Sequence, residues 1–244
     1  MRTCCPRCHS RRAKKNGFTH TRKQNHKCKD CGRQFVLEPQ QKRIPEADRE
    51  KIRKLLKERI SFQGICRVMN VSMDWLQEFI KQEYEQAPED LHVRPPDDEE
   101  QPEVDLFPVE GDEAWSFVGK KKNKQWIWLA QERQEGQIIG VYVGDRGQTG
   151  AQGLWDSLPQ YYKDHGLFYT DQWEAYTTVI PSAQHQAVSK ESGKTSHIER
   201  FINTLRQRVS RLVRKALSFS KKLSNHIGAI KYFICDYNIE VLYT

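Results

Sequence analysis

The chain has 244 residues, of which 30% are charged and 37% hydrophobic, and its formal net charge is +8. This length allows one or two ordinary domains, or one domain with small appended modules. The modest hydrophobic fraction favours appended modules, because it cannot fill one large globule. No apolar run of about 18 residues and no leader-like segment is evident, which argues against membrane insertion and secretion. We therefore expect a cytoplasmic protein.

The positive charge is concentrated in two blocks of the chain. Residues 1–43 contain thirteen Lys/Arg against two acids, and residues 200–222 contain eight Lys/Arg and no acid. Such blocks are typical of proteins that bind a polyanion, of which nucleic acid is the commonest. A solvated basic surface is the alternative for either block taken alone.

Two Cys-x-x-Cys pairs near the start of the chain have the spacing of a zinc site, with 19 residues between the pairs. Four thiolates on two such knuckles match the tetrahedral geometry of Zn²⁺. Residues 1–36 hold too few apolar side chains for a core, so the metal would supply the folding energy. We predict a zinc ribbon over residues 1–40, and a register that uses Cys4 stays open. The predicted ligands are Cys5, Cys8, Cys28 and Cys31.

A pattern of three short helices follows over residues 44–85. Ser61 is a predicted N-cap for a helix over Phe62–Met69, and Ser72 is a predicted N-cap for the next helix. A short helix, a tight turn and a capped helix form the helix-turn-helix arrangement. A small three-helix bundle without a DNA role is the alternative. The candidate DNA-binding residues on the exposed face of the third helix are Gln77 and Lys81.

An acidic stretch separates the two halves of the chain. Residues 83–113 contain thirteen Asp/Glu, five prolines and a single basic residue, Arg94. We expect that a segment of this composition does not form a buried core. We therefore predict an extended, charged, Pro-rich linker over residues 86–106.

The second half of the chain alternates strand and helix patterns, which predicts an α/β domain. A long helical pattern opens at residues 195–199, and its apolar positions, from Ile198 to Val213, recur at the spacing of one buried stripe. Asn203 and Arg206 fall on its other face. The remaining predicted elements are strands over 112–118, 125–130, 138–143 and 167–169 and a helix over roughly 149–162.

Three acidic residues of this half have positions that suit a metal site. Asp112 lies at the start of the first predicted strand, Asp171 follows the fourth, and Glu199 is on the long helix. Carboxylate oxygens are the hard ligands that Mg²⁺ prefers in proteins. Glu113 competes with Asp112 for this role, because strand alternation directs only one of two neighbours toward the site.

The spacing of these acids resembles that of the DDE transposases, with 58 residues between Asp112 and Asp171 and 27 between Asp171 and Glu199. The chain is similar to the IS-one insertion-sequence family over nearly its whole length. The segments that carry the resemblance are 112–119, 144–146, 169–173, 198–203, 211–215 and 219–220.

The resemblance implies a multi-module protein: a zinc ribbon, a helix-turn-helix, and an RNase H-like catalytic domain with a mixed five-stranded sheet over residues 107–244. It implies catalysis by Asp112, Asp171 and Glu199 with Mg²⁺ or Mn²⁺, in addition to the zinc site. It also implies that a homo-oligomer, associated with the nucleoid, acts on element ends and target DNA. The residues of the long helix expected to contact DNA are Arg200, Asn203 and Arg206.

Two other classes of function remain open from the sequence. A DNA-binding regulator would use the zinc ribbon and the helix-turn-helix, with the second half as an oligomerisation domain. A nuclease or resolvase on the same fold would share the metal site without strand transfer. Metal-dependent joining of terminal-repeat DNA to a target distinguishes all three classes.

Overall fold

The structure is a computed structural model that describes residues 4–19, 22–37, 44–96, 106–212 and 220–243. It divides into two compact units, Met1–Ala47 and Asp48–Thr244. Part of the predicted linker, residues 97–105, lies outside the described residues, as do 213–215 and Phe219 of the segments that carry the resemblance. Within the described residues, no helix combines the length and the apolar composition needed to cross a bilayer.

The first unit contains a three-stranded antiparallel sheet in the order β1-β2-β3. The strands are β1 (Ala13–Phe18), β2 (Gln24–Cys28) and β3 (Gln34–Val36). The buried apolar centre of this unit consists of Cys5, Cys28 and Phe35. This centre is far smaller than a globular core, as the composition of residues 1–36 predicts.

Three helices follow: α1 (Glu46–Leu55), α2 (Phe62–Met69) and α3 (Met73–Glu85). Both predicted N-caps are confirmed. Ser61 Oγ accepts a hydrogen bond from Gly64 N at 3.1 Å, and Ser72 Oγ accepts one from Trp75 N at 3.2 Å. Between the helices, Asn70 has the left-handed backbone (φ 50°) that ends α2 and starts the turn.

The segment after α3 packs against the second half of the chain, so the prediction of an extended linker that buries no core is wrong for the described residues 86–96. Leu91 is only 3% exposed and belongs to the largest apolar cluster of the protein. Its carbonyl accepts a hydrogen bond from Asn238 Nδ2 at 2.8 Å. Gln137 exchanges two hydrogen bonds with the backbone of Arg94. The acidic composition of this segment did not indicate that Asn238 and Gln137 would form hydrogen bonds with its backbone.

A mixed five-stranded sheet forms the centre of the second half, as predicted. Its order is β6-β5-β4-β7-β8; β4, β5 and β6 are antiparallel, whereas β4, β7 and β8 are parallel. The first predicted strand, 112–118, begins five residues earlier, and the sequence pattern did not locate β8. The strands are β4 (Phe107–Phe117), β5 (Lys124–Glu132), β6 (Ile138–Gly144), β7 (Gly166–Thr170) and β8 (His185–Ala187).

Helices cover the sheet, and two of them differ from prediction. The helix predicted over 149–162 is broken at Pro159, because the residue before a proline disfavours helical backbone. The long helix ends at Arg208, where Val209 is extended. The helices are α4 (Gln148–Ser157), α5 (Gln160–His165), α6 (Glu174–Thr177), α7 (Ser196–Arg208) and α8 (Leu223–Leu242).

The helices pack in two apolar clusters. One joins α7 and α8 to the sheet and includes Ile198, Phe201 and Ile230, while the other joins α4 and α5 to the sheet. Helix α3 also contacts α8, and Tyr232 of α8 packs on the core of the three short helices. These three helices therefore pack directly on the second half of the chain.

Candidate active site and metal centre

The three predicted carboxylates line one cleft of about 450 Å³. Strands β4 and β7 are parallel neighbours with Glu110 opposite Tyr169, so Asp112 and Asp171 lie at the same level, two residues beyond that pair. Glu199 lies in the first turn of α7, which contacts β4. The sheet register and the helix together bring side chains from three distant parts of the sequence to one place.

Each of these carboxylates accepts a local hydrogen bond that orients it. Asp112 Oδ1 accepts from Glu113 N at 2.7 Å, and Asp171 Oδ1 accepts from Trp173 N at 2.9 Å. Glu199 Oε1 accepts from Thr195 Oγ1 at 3.4 Å. Each of these bonds uses one oxygen of its carboxylate.

Glu113 faces away from this cleft. Its Oε1 accepts hydrogen bonds from Arg146 Nε at 3.0 Å and Nη2 at 2.8 Å, and its Oε2 accepts one from the Tyr176 hydroxyl at 3.0 Å. The Arg146 guanidinium lies between the rings of Trp126 and Trp173, 4.5 Å and 4.2 Å from their centroids. Of the two neighbouring acids on β4, only Asp112 lines the cleft.

The electrostatics of the cleft are those of crowded negative charges. Burial raises the pKa of Asp112 from 3.8 to about 7, and the charges of Glu113, Asp171 and Glu199 add to this rise. The hydrogen bond from the Glu113 backbone acts in the opposite direction. A cation bound between these acids would remove the repulsion and favour the ionised form of Asp112.

One face of α7 continues the cleft away from the carboxylates. Asn203 and Arg206 line it, as their helical spacing from Glu199 predicts, and Lys190 lines it from outside the helix. Arg200 is exposed on α7 and is not among the lining residues. The cleft thus carries acids at one end and a basic and an amide side chain farther along the same helix.

Glu110 is a residue of this region that sequence reasoning missed. Its side chain is fully buried, and its Oε2 accepts hydrogen bonds from His197 N at 2.8 Å and Ile198 N at 3.0 Å. The other oxygen lies 2.7 Å from His197 Nδ1 and 3.6 Å from Arg133 Nε. This carboxylate caps the start of α7 and ties it to β4. Glu110 lies two residues before Asp112, which places both side chains on the same face of β4. This spacing was the sequence signal that could have identified Glu110.

The four predicted cysteines of the first unit form one cluster, in which all four Sγ atoms lie within 4.8 Å of one another. The Sγ separations are 3.5 Å for Cys5 and Cys31 and 3.6 Å for Cys8 and Cys28. Four Zn–S bonds of about 2.3 Å at tetrahedral angles require about 3.8 Å between sulfurs. The donor set and its dimensions fit Zn²⁺.

Within this cluster, hydrogen bonds from neighbouring groups lower the pKa of Cys5 and Cys28, whereas the neighbouring thiols raise the pKa of Cys8. Burial raises the pKa of Cys5, but hydrogen bonds from the backbone of Cys8 and Arg7 and from neighbouring thiols outweigh it and lower the pKa to about 6. The fifth thiol, that of Cys4, donates to the His9 carbonyl at 3.0 Å. Cys4 is not part of the cluster.

The two predicted DNA-binding residues of α3 lie elsewhere. Gln77 and Lys81 are exposed and line a second groove, of about 920 Å³, whose opposite side includes Lys221 and Lys222 at the start of α8. Acidic neighbours on α3, Asp74 among them, also face this groove.

The comparison with known proteins concerns the half of the chain that holds the carboxylates. Residues 106–239 match the family model described as IS1 transposase. Protein InsB of insertion element iso-IS1n from Shigella dysenteriae is 34% identical over 125 residues, which are 50% of this chain and 90% of that protein. Protein InsB of insertion element IS1 4 from Escherichia coli strain K12 is 32% identical over 126 residues, covering 52% and 72% of the two chains.

The family model spans more than half of the chain and includes the strands and the helix that carry the three acids. The resemblance noted from the sequence motifs is therefore confirmed for residues 106–239. The chain belongs to the IS1 transposase family, whose members are DDE transposases.

Proposed function

We propose that this transposase binds the ends of its insertion element and carries out both strand cleavage and strand transfer. The single observation that carries the proposal is that Asp112, Asp171 and Glu199 line one cleft. The alternatives are a regulator that only binds DNA and a nuclease without strand transfer. Both have less support, because the family match covers the region that holds these three acids.

In this mechanism Asp112, Asp171 and Glu199 would hold two Mg²⁺ or Mn²⁺ ions, for which three hard carboxylates are suitable ligands. When bound, such a pair of ions activates the attacking oxygen and stabilises the leaving oxygen. The side chains of Asn203 and Arg206 bind the DNA backbone along the same cleft. Water attacks the phosphodiester at the element end and displaces its 3′-oxygen, which leaves a 5′-phosphate on the flanking strand and a free 3′-hydroxyl on the element. That 3′-hydroxyl then attacks a phosphodiester of target DNA, forms the new bond and displaces the 3′-oxygen of the target strand.

The modules around the cleft fit the same proposal. We propose that residues 107–244 form an RNase H-like catalytic domain, supported by the mixed sheet with its parallel β4 and β7. Residues 1–40 act as a zinc ribbon and residues 44–85 as a helix-turn-helix that contacts DNA through Gln77 and Lys81. Because an element has two ends, we propose a homo-oligomer that acts on DNA in the nucleoid.

The test of this proposal is a cleavage and joining assay with element-end DNA and Mg²⁺ or Mn²⁺. Asp171→Ala is expected to lose cleavage by about 100- to 1,000-fold, similar to the loss of other electrostatic groups at reacting centres. It should keep or increase DNA affinity, because it removes a negative charge that faces phosphate. Asp156→Ala, which removes an exposed acid of α4, is the control and should cleave normally.

A second pair of variants tests which acid of β4 takes part. Asp112→Asn should be inactive, whereas Glu113→Gln should retain cleavage because its side chain contacts Arg146 and Tyr176 and not the cleft. Cleavage by Asp171→Ala at the rate of the unchanged protein would refute the proposal. Cleavage without any joined product would favour the nuclease alternative.

A further inference from the structure

A group of six exposed lysines lies where the β4–β5 turn meets the start of α8. We call it the lysine surface, and its members are Lys120, Lys121, Lys122, Lys124, Lys221 and Lys222. Gly119 N donates a hydrogen bond to Ser220 O at 2.8 Å, which holds the two segments together. Gly119 has a left-handed backbone (φ 72°), and the turn closes with a bond from Val118 N to Asn123 O at 3.1 Å.

The charge of this surface is not balanced locally. Residues 118–124 and 220–225 contain no acid. Within the described part of the chain, none of the six lysines has a carboxylate partner within 4.0 Å. Some other lysines of this protein do have a carboxylate partner, such as Lys231 with Glu89. Six like charges on one surface repel one another, and binding of an anion would relieve that repulsion.

The start of α8 adds to the positive potential. The first backbone N–H groups of a helix lack helix partners, and the N-cap residue Lys222 makes no side-chain capping bond to any of them. Lysines near a helix N-terminus oppose the helix dipole and destabilise the helix locally. A phosphate group would satisfy the N–H groups and the lysines together.

The lysine surface is directly connected to the carboxylate cleft by one strand. From Asp112 to Phe117, the end of β4, five residues at about 3.3 Å each span roughly 17 Å. Duplex DNA rises about 3.4 Å per base pair. For a duplex that runs parallel to β4, the distance along the strand therefore equals about five base pairs. Lys221 and Lys222 also line the groove that contains Gln77 and Lys81 of α3. The surface therefore joins the cleft to the exposed face of α3.

We propose that the lysine surface binds the phosphate backbone of duplex DNA about five base pairs from the scissile phosphate. This inference rests on the proposed function, since it takes the cleft as the place of cleavage. The contact is to the backbone and so is independent of base sequence.

Two variants of the full-length protein test the inference: Lys120→Gln/Lys121→Gln/Lys122→Gln in the turn and Lys221→Gln/Lys222→Gln at α8. Each lost phosphate contact should lower the slope of log affinity against log salt by about 0.9 on element-end duplex. We expect the slope to fall by about 2.7 for the triple variant and by about 1.8 for the double variant. The control is Lys163→Gln/Lys231→Gln, which removes two lysines that have partners within the protein.

Hydroxyl-radical footprinting on the same DNA locates the contact. Both variants should lose protection about five base pairs from the cut and keep protection at the cut itself. Unaltered salt slopes and footprints in both variants would overturn the inference. Cleavage by the unchanged protein, and its absence in Asp171→Ala, would show at the same time that the proposed function stands. Tryptophan-detected unfolding should show that both variants are at least as stable as the unchanged protein, because all six lysines are exposed and their removal relieves repulsion.

Discussion

The four-cysteine cluster and the carboxylate cleft both gather cation ligands, but they are built in opposite ways. The sulfurs of the cluster lie within 4.8 Å of one another, and among the described residues no other group of three or more such ligand atoms is that close. The buried apolar centre around the cluster has only three residues. The carboxylates stand on a sheet and a helix that are held by large apolar clusters. Their oxygens do not form a group as close as the four sulfurs.

This difference separates two uses of a metal. In the first unit an ion held by the four cysteines would take the place of a hydrophobic core, so that metal binding and folding would be one event. In the second half the core forms without an ion and holds acids at positions where they repel one another. Loss of metal should therefore unfold the first unit, whereas it should leave the second folded and inactive.

The largest expected effect is that of Cys28→Ser on the first unit. Structural zinc contributes about 10–16 kcal/mol of binding free energy in small zinc domains, so the unit should not fold without its fourth thiolate. All six tryptophans lie after residue 74, so tryptophan fluorescence reports only on the second unit. We expect an unchanged tryptophan unfolding transition, zinc loss, and rapid trypsin cleavage within residues 1–43.

Cys4→Ser is the matched control for this experiment, because the Cys4 thiol lies outside the cluster. It should retain one equivalent of zinc and its resistance to trypsin. If the purified unchanged protein contained no zinc, the four-cysteine cluster would not be a metal site, and the comparison with the carboxylate cleft would fail. A lowered tryptophan transition in Cys28→Ser would show that the two units do not fold independently.

The next effect in size is that of Glu110→Gln, which tests whether the cleft depends on its scaffold. The change replaces a buried carboxylate that accepts two N–H bonds from the start of α7. Breaking such a buried charged network costs about 3 kcal/mol or more. We expect that loss in urea unfolding and a lower cleavage rate, because α7 carries Glu199.

Glu132→Gln provides a control with the same chemistry. Glu132 is also buried, and it accepts N–H bonds from Gln134 and Glu135 in its own turn, not from α7. It should lose stability but keep its cleavage rate under folding conditions. Equal loss of cleavage in both variants would mean that stability alone, and not the position of α7, explains the effect of Glu110.

Local chemistry explains which features could be predicted from the sequence. The caps at Ser61 and Ser72, the four cysteines and the periodicity of α7 depend on residues close together in the chain. The packing of Leu91 depends on Asn238, which is 147 positions away. The role of Glu110 depends likewise on His197, 87 positions away. No local pattern encodes such partners, so the packed linker and the cap of α7 were missed.

The choice between Asp112 and Glu113 shows the same limit within the site. Alternation along β4 predicted that only one of them faces the cleft, but the pattern could not say which. The partners of Glu113, Arg146 and Tyr176, come from a loop and a helix that follow other strands. The tertiary contacts of one neighbour therefore identify the other as the cleft residue.

A smaller effect is expected from Asp112→Asn in metal-free protein. The folded pKa of about 7 lies above the ordinary value of 3.8, so the folded state favours the protonated carboxyl. Its stabilising contribution is present below about pH 4 and is lost as the pH rises through about 7. One pH unit of pKa difference corresponds to about 1.4 kcal/mol, and we expect about 2 kcal/mol at pH 8 after the repulsion relaxes.

The measurement is tryptophan-detected urea unfolding in a chelator at pH 4 and pH 8. Asp112→Asn should match the unchanged protein at pH 4 and exceed its free energy of unfolding at pH 8. Addition of Mg²⁺ should stabilise only the unchanged protein. If the variant were less stable at pH 8, the acids of the cleft would not repel one another, and the contrast with the cysteine cluster would fail.

The smallest effect concerns the polarity of α7, where Glu199 and Arg206 are seven residues apart, about 10 Å along the helix. Both line the cleft, so one end of this face would hold metal and the other phosphate. Arg206→Ala should lower the slope of log affinity against log salt by about 0.9 for all duplex sequences. Glu199→Gln should abolish cleavage with little change in slope. Arg200→Ala, on the same helix outside the cleft, should change the slope less. If the slope were unaltered in Arg206→Ala, Arg206 would not contact phosphate, and only the metal-binding role of this helix face would remain.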